Sequence, residues 1–175
     1  MQVSTVVRQA LGFRWDKIMT EKQTSVNLTN RKSDVQYMLV DPANLGKAWS
    51  FAVPLLEKGQ EYLSEHFSLQ DIYNAVQSGR IHLWFMNNAE EVFYLILTEF
   101  VDYPQKRVLH IIYQGGTRMR DALQFLDCVE HWAWKNGAVG VEVVGRKAVG
   151  RVLKPFGYEE PGVYLTKSFS YIKEH

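Results

Sequence analysis

The stretch from Val108 to Ala138 constrains the fold most, because its periodicity changes part-way along. Val108, Leu109, Ile111, Ile112 and Tyr113 form a short, apolar, β-branched run, the composition of a strand covered on both faces. Gly115 and Gly116 predict a tight turn. Thr117 is then placed to cap a long helix whose core stripe is Met119, Ala122, Leu123, Leu126, Val129 and Ala133. Gly137, after Asn136, predicts a left-handed stop. A strand that enters a helix through glycines aims backbone amides and the positive end of a helix dipole at one spot. Such a spot suits a phosphate group, and it is the candidate ligand site.

The flanking segments read as alternating elements. Val35 to Val40 is a strand candidate ended by Asp41-Pro42, and Asn44 to Phe67 predicts one or two helices with Pro54 kinking or breaking the run. Ser68 with Asp71 forms a capping-box start for a helix that Ser78-Gly79 ends. Ile81 to Met86 is a strand, Asn87 to Glu90 a hairpin turn, and Val92 to Val101 the next strand, closed by Tyr103-Pro104. After the central unit come a strand over Val139 to Val144, a helix from about Arg146 to Phe156 stopped by Gly157, and a last strand around Val163 to Lys167. Early strands joined by short turns and later ones joined by helices require an α/β fold with a mixed sheet. Its N-terminal strands run antiparallel and its central strands parallel, with helices on both faces.

Residues 1–33 read as an N-terminal arm and linker, and 34–175 as the domain. Val6, Val7, Leu11, Phe13, Trp15 and Ile18, interspersed with Arg8, Arg14 and Lys17, have the pattern of a short amphipathic helix. It either folds back on the domain or is offered to a partner, as a docking element or a homo-oligomer contact; a basic membrane-surface helix is a further alternative. A net charge of +1 gives no basic field for nucleic acid. The single cysteine, Cys128, excludes an intrachain disulfide and a cysteine-rich metal site, and reads as a buried small hydrophobe. His66, His82, His110, His131 and His175 show no metal-ligand spacing, and neither a P-loop, a dinucleotide fingerprint nor a GxSxG elbow occurs. The small basic cluster Arg146, Lys147, Arg151 and Lys154 reads first as a solvated helix face. No apolar run reaches the roughly 20 residues that span a bilayer, and Met1 to Gln9 has no signal-peptide pattern. A cytoplasmic or particle-associated setting is expected.

The order of elements, together with several local stretches, resembles the GNAT superfamily of acetyl-CoA-dependent N-acetyltransferases over roughly Asp34 to Phe169. More narrowly, SGRIHLWF, Tyr103-Pro104 before a strand ending in Gly-Gly, EHWAWKNGAVGVEVVGRKAVGRVLKPFGY and the closing YLTKSF resemble GNAT-like proteins of tailed bacteriophages. The resemblance implies that the fourth strand splays from the fifth and that acetyl-CoA lies in the gap, its pyrophosphate on amides after strand four. Here that segment is Gln114, Gly115, Gly116, Thr117, Arg118 and Met119. Gln114 opens the family motif, while Thr117 and Met119 stand where it has small residues. Arg118 and Arg120 offer charge to a phosphate, or are solvated first-turn residues.

The family's chemistry needs a base for the amine and an acid, commonly tyrosine, for the departing thiolate. The tyrosine position, four residues before the glycine of Gly157-Tyr158, holds Leu153, and the position of a frequent asparagine holds Arg146. His110, Glu99 and Glu142 are candidate bases, each alternatively a sheet residue paired with a neighbour; Tyr113 is a candidate acid, and Tyr158 reads more simply as an aromatic plug. Two functions follow. One is acetyl transfer from acetyl-CoA to an amine, without a metal. The other is a catalytically degenerate structural or interaction protein of a phage particle, docked through the N-terminal arm.

Overall fold

The computed structural model describes residues 35–63, 66–88, 90–145 and 147–162. The chain divides into two compact units, Met1–Glu142 and Val143–His175. Strands β1 (Gln36–Leu39), β2 (Ile81–Asn87), β3 (Val92–Tyr103) and β4 (Lys106–Gly116) pair antiparallel in that order. β5 (Val141–Val143) follows β4 in the five-stranded sheet. The segment entering β5 joins the start of β4 through Val139 N to Arg107 O at 2.8 Å and Leu109 N to Gly140 O at 3.0 Å. Both chains advance in the same direction across these bonds, so the sheet is mixed, as the connections require.

Alternation along the strands sorts side chains to two faces. Ile81, Leu83, Phe85, Leu95 and Leu97 join one core cluster with Ala48, Ala52, Leu55 and Leu56 of α1 (Leu45–Glu57) and with Ile72, Ala75 and Val76 of α3 (Leu69–Gln77). Phe85, Leu95 and Leu83 are fully buried, each contributing about 1.5–3 kcal/mol relative to exposure. On the other face Trp132 of α5 (Leu126–Lys135) meets Trp84 edge-on at 5.0 Å, His82 at 4.9 Å and Phe100 at 5.3 Å. Trp84 Nε1 donates to Thr98 Oγ1 at 3.0 Å, so the buried indole is satisfied. Trp134, two residues on, points to solvent at 68% exposure.

The local signals that were self-contained hold. Ser68 and Asp71 form a reciprocal capping box at the start of α3, and Gly79, Gly137 and Gly157 take positive φ after their helices. Asn88 Oδ1 accepts from the amides of Glu90 and Glu91 at 2.9 Å, fixing the β2–β3 hairpin. α6 (Lys147–Leu153) passes into a short 3-10 turn, Lys154–Phe156, which Gly157 stops.

Four expectations are corrected. Gly115 and Gly116 make no turn: β4 continues through them, paired with Leu95 and Tyr94 of β3. The next helix is not one piece but α4 (Met119–Ala122), a 3-10 turn at Leu123–Phe125, and α5. Thr117 does not cap it; Arg118 occupies that position at φ 55 with no side-chain cap bond, while Thr117 N donates to Phe93 O at 2.8 Å. Pro54 does not break the run: it lies inside α1, on its exposed side, where the carbonyl freed by its missing N–H can face water, and the helices divide after Glu57, before α2 (Gln60–Leu63). The arm at 1–33, Arg146 and the strand expected at 163–167 lie outside the described residues.

Candidate functional site

The register of β3 and β4 skips one residue: Leu97 faces Tyr113 and Thr98 faces Ile111, leaving Ile112 as a bulge. Without it, His110 and Tyr113 would fall on opposite faces; with it, both point to the α1 and α3 side. The candidate residues therefore share a face, in two groups.

The first group is polar and lies toward the start of β4. His110 faces Glu99 across the strands, with Nδ1 3.8 Å from Glu99 Oε1, and Arg80 Nη1 lies 3.8 Å from Glu99 Oε2. Lys106 Nζ bonds Glu142 Oε1 at 2.8 Å, and the Tyr103 hydroxyl donates to Glu142 Oε2 at 3.3 Å. The Lys106 bond, opposed by slight burial, holds the Glu142 carboxyl below the usual carboxylate value; the Tyr103 hydroxyl and the charge of His110 act in the same direction. A histidine thus stands in the field of two carboxylates, half-exposed and open to a proton donor. Among the described residues no group of His, Cys, Asp and Glu is arranged to hold a metal.

The second group closes the other end of β4. The Tyr113 hydroxyl donates to Leu55 O at 3.1 Å in the last turn of α1, and its ring occupies the space a Cβ would need at both Gly59 and Gly115. Burial raises the Tyr113 phenol above its ordinary pKa and pushes Tyr94 up to about 12. Tyr94 Oη donates to Gln114 Oε1 at 3.3 Å. Gly116 sits at φ 138 against the backbone of Phe93 and Tyr94, so glycine is required there. Arg118 is committed: its Nε and Nη2 both reach Asp121 Oδ2 at 2.7 Å, and its guanidinium lies 4.6 Å over the Phe93 ring. Arg120 is exposed and has no ion pair among the described residues. Met119 opens α4, whose first amides have no intrahelical acceptor.

The structure brings His110, Glu99 and Glu142 together and sets Tyr113 apart with Gln114 to Met119. Arg80, Lys106, Tyr103, Leu55 and Gly59 belong to these groups and are not site candidates on sequence alone. Lys106 and Tyr103 were within reach, since they flank the turn at Pro104 and face each other in the ladder. Gly59 carries no local signal.

Comparison with solved structures identifies the architecture. A GNAT family acetyltransferase from Staphylococcus aureus superposes with a TM-score of 0.57 at 10% identity, covering 78% of this chain and 99% of that one. The fold is that of the GNAT acetyltransferases. A predicted acetyltransferase from Clostridium acetobutylicum, solved with acetyl-CoA, matches at TM-score 0.56 and 14% identity over 77% of this chain and 96% of its own. An aminoglycoside acetyltransferase from an uncultured soil metagenomic sample, in complex with sisomicin, matches at 0.60 and 12% over 78% and 97%. No family model and no curated protein matches the chain. Among the described residues no helix is long and apolar enough to cross a membrane.

Proposed function

We propose that the chain is an N-acetyltransferase that takes its acetyl group from acetyl-CoA and passes it to an amine. The observation that carries this is His110 on β4, placed in the field of Glu99 and Glu142, on the strand that leads straight into the Gln114–Met119 segment. The GNAT fold shared with an acetyl-CoA-bound neighbour supports the choice of donor.

The residues present fit an anionic cofactor through the backbone. Gly115 and Gly116 are taken up by Tyr113 and by the pairing with β3, whereas the first amides of α4, just beyond them, have no intrahelical acceptor. Those amides and Arg120 would hold the pyrophosphate; Arg118, engaged by Asp121, contributes once that pair opens. Bound there, acetyl-CoA supplies an activated thioester. His110 accepts the acceptor amine's proton. Glu99 near Nδ1 favours the proton on that nitrogen and leaves Nε2 as the base. With Leu153 at the family's tyrosine position and the Tyr113 proton given to Leu55 O, the imidazolium formed at His110 would be the group that returns a proton to the thiolate.

Titration calorimetry with acetyl-CoA, followed by thiol-release assays on aminoglycosides, polyamines and peptide N-termini, tests this reading. Saturable heat and His110-dependent turnover are expected; no heat at millimolar acetyl-CoA would overturn it. Docking to a phage particle draws no support from the neighbours above, and the arm that would dock lies outside the described residues.

A further inference from the structure

We infer that Tyr113 is a positioning residue that rivets the end of α1 to the strand carrying the anion-binding segment, a role that rests on the acetyltransferase reading only for its catalytic consequence. The bulge at Ile112 turns Tyr113 toward α1. Its hydroxyl then satisfies the carbonyl of Leu55, one of those that a helix C-terminus leaves without an intrahelical partner. Its ring fills the volume that any side chain at Gly59 or Gly115 would need. Two glycines far apart in sequence are thus spent on one ring, a larger concession than a surface phenol requires. The other face of β4 is fastened separately, by Tyr94 to Gln114 and by Gly116 against Phe93.

What the rivet holds is the width of a groove. A cavity of about 320 Å³ is lined by Leu55 and Lys58 at the end of α1 and by Val92, Phe93 and Thr117 next to the segment. The two walls also meet through the core, where Leu55 and Leu56 pack with Leu95 and Leu97 of β3, and Tyr113 adds the hydrogen bond that joins the Leu55 wall to β4 directly. If the bond opens, the Leu55–Gly59 corner and the Gln114–Met119 segment lose their common anchor together. Tyr113 therefore acts on the binding of the donor, not on the proton transfer.

The test uses the full chain and two variants. Tyr113→Phe removes the bond and keeps the ring; Gly59→Ala displaces the ring and keeps the phenol. In hydrogen exchange without ligand, both variants are expected to raise exchange at residues 57–63 and 114–122 together. Calorimetry should show acetyl-CoA binding weakened about fivefold, the loss expected of one hydrogen bond, with kcat within about twofold. Exchange that stays unchanged, or rises in one segment alone, overturns the rivet. So does a kcat in Tyr113→Phe about a hundredfold lower at unchanged affinity, which would make Tyr113 the acid. Tyr113→Phe preserves the packing, so the test survives a failure of Gly59→Ala to fold. Should wild-type protein bind no acetyl-CoA, the acetyltransferase reading falls while the exchange pattern still decides the rivet.

Discussion

At its start β4 is held by charges that water can reach, and at its end by rings and glycines that leave no room for a methyl group. Lys106 and Glu142 keep 49% and 41% of their side-chain surface exposed, and His110 and Glu99 keep 27% and 24%. At Gly115 and Gly116, by contrast, the space a Cβ would need is already taken by Tyr113, Phe93 and Tyr94. Exposed ion pairs contribute little to stability because solvent screens them and the side chains lose freedom. Close packing does contribute, and it fixes geometry. On the proposed function, the same strand would be chemically adjustable where a proton moves and rigid next to the segment that binds the donor.

The sharpest way to break this comparison is at His110. His110→Gln is expected to lower turnover about a thousandfold, within the range of a lost general base, while a urea titration places its stability within about 1 kcal/mol of wild type. Equal losses of activity and stability would mean that the start of β4 is structural after all. At the other end the ledger reverses. Gly116→Ala places a Cβ against Phe93 O and Tyr94 Cα at φ 138, and is expected to destabilise the fold by about 3 kcal/mol. A urea midpoint unchanged by Gly116→Ala would show that the end of β4 is not rigid.

The two ends also differ in how far the sequence revealed them. His110, Glu99 and Glu142 stood out because ionisable residues in apolar, alternating runs are conspicuous, and a strand's period of two predicts their neighbours. The Ser68 capping box and the Gly79, Gly137 and Gly157 stops were legible for the same reason, each being complete within four or five residues. Gly115 and Gly116 read locally as a turn but are strand. Paired glycines ordinarily signal a turn, and only the opposing Tyr94 and Leu95 make them strand. The break between α4 and α5 was hidden because Leu123 and Leu126 keep the helical stripe across it. Gly59 was invisible, since its requirement comes from a ring 54 positions away in the chain. What local pattern encodes was readable; what a distant side chain imposes was not.

A smaller effect sharpens the comparison at the turn. Asp121 holds Arg118 against Phe93, and it also places a negative charge in the first turn of α4. Asp121→Asn is expected to tighten acetyl-CoA binding about threefold in calorimetry, by releasing the guanidinium and removing a charge that opposes an anion. Weaker binding instead would mean that the pair shapes the segment and does not merely restrain it.

The smallest expected effect belongs to the exposed pair at the start of β4, and its sign is fixed by linkage. Glu142 is held below its ordinary pKa chiefly by Lys106, so its contribution is present above the unfolded carboxylate's value and is lost as pH falls through the depressed one. Lys106 is raised by the same bond, so its share is present below the unfolded amine's value and is lost only as pH rises through the raised one. Between those limits the pair is intact. Lys106→Met should therefore lower stability near neutrality by only a small amount, a difference from wild type that fades as pH falls through the depressed Glu142 value and shrinks as salt is added. A large loss at neutral pH, insensitive to salt, would mean that this end of β4 is held by packing like the other, and the contrast between them would disappear.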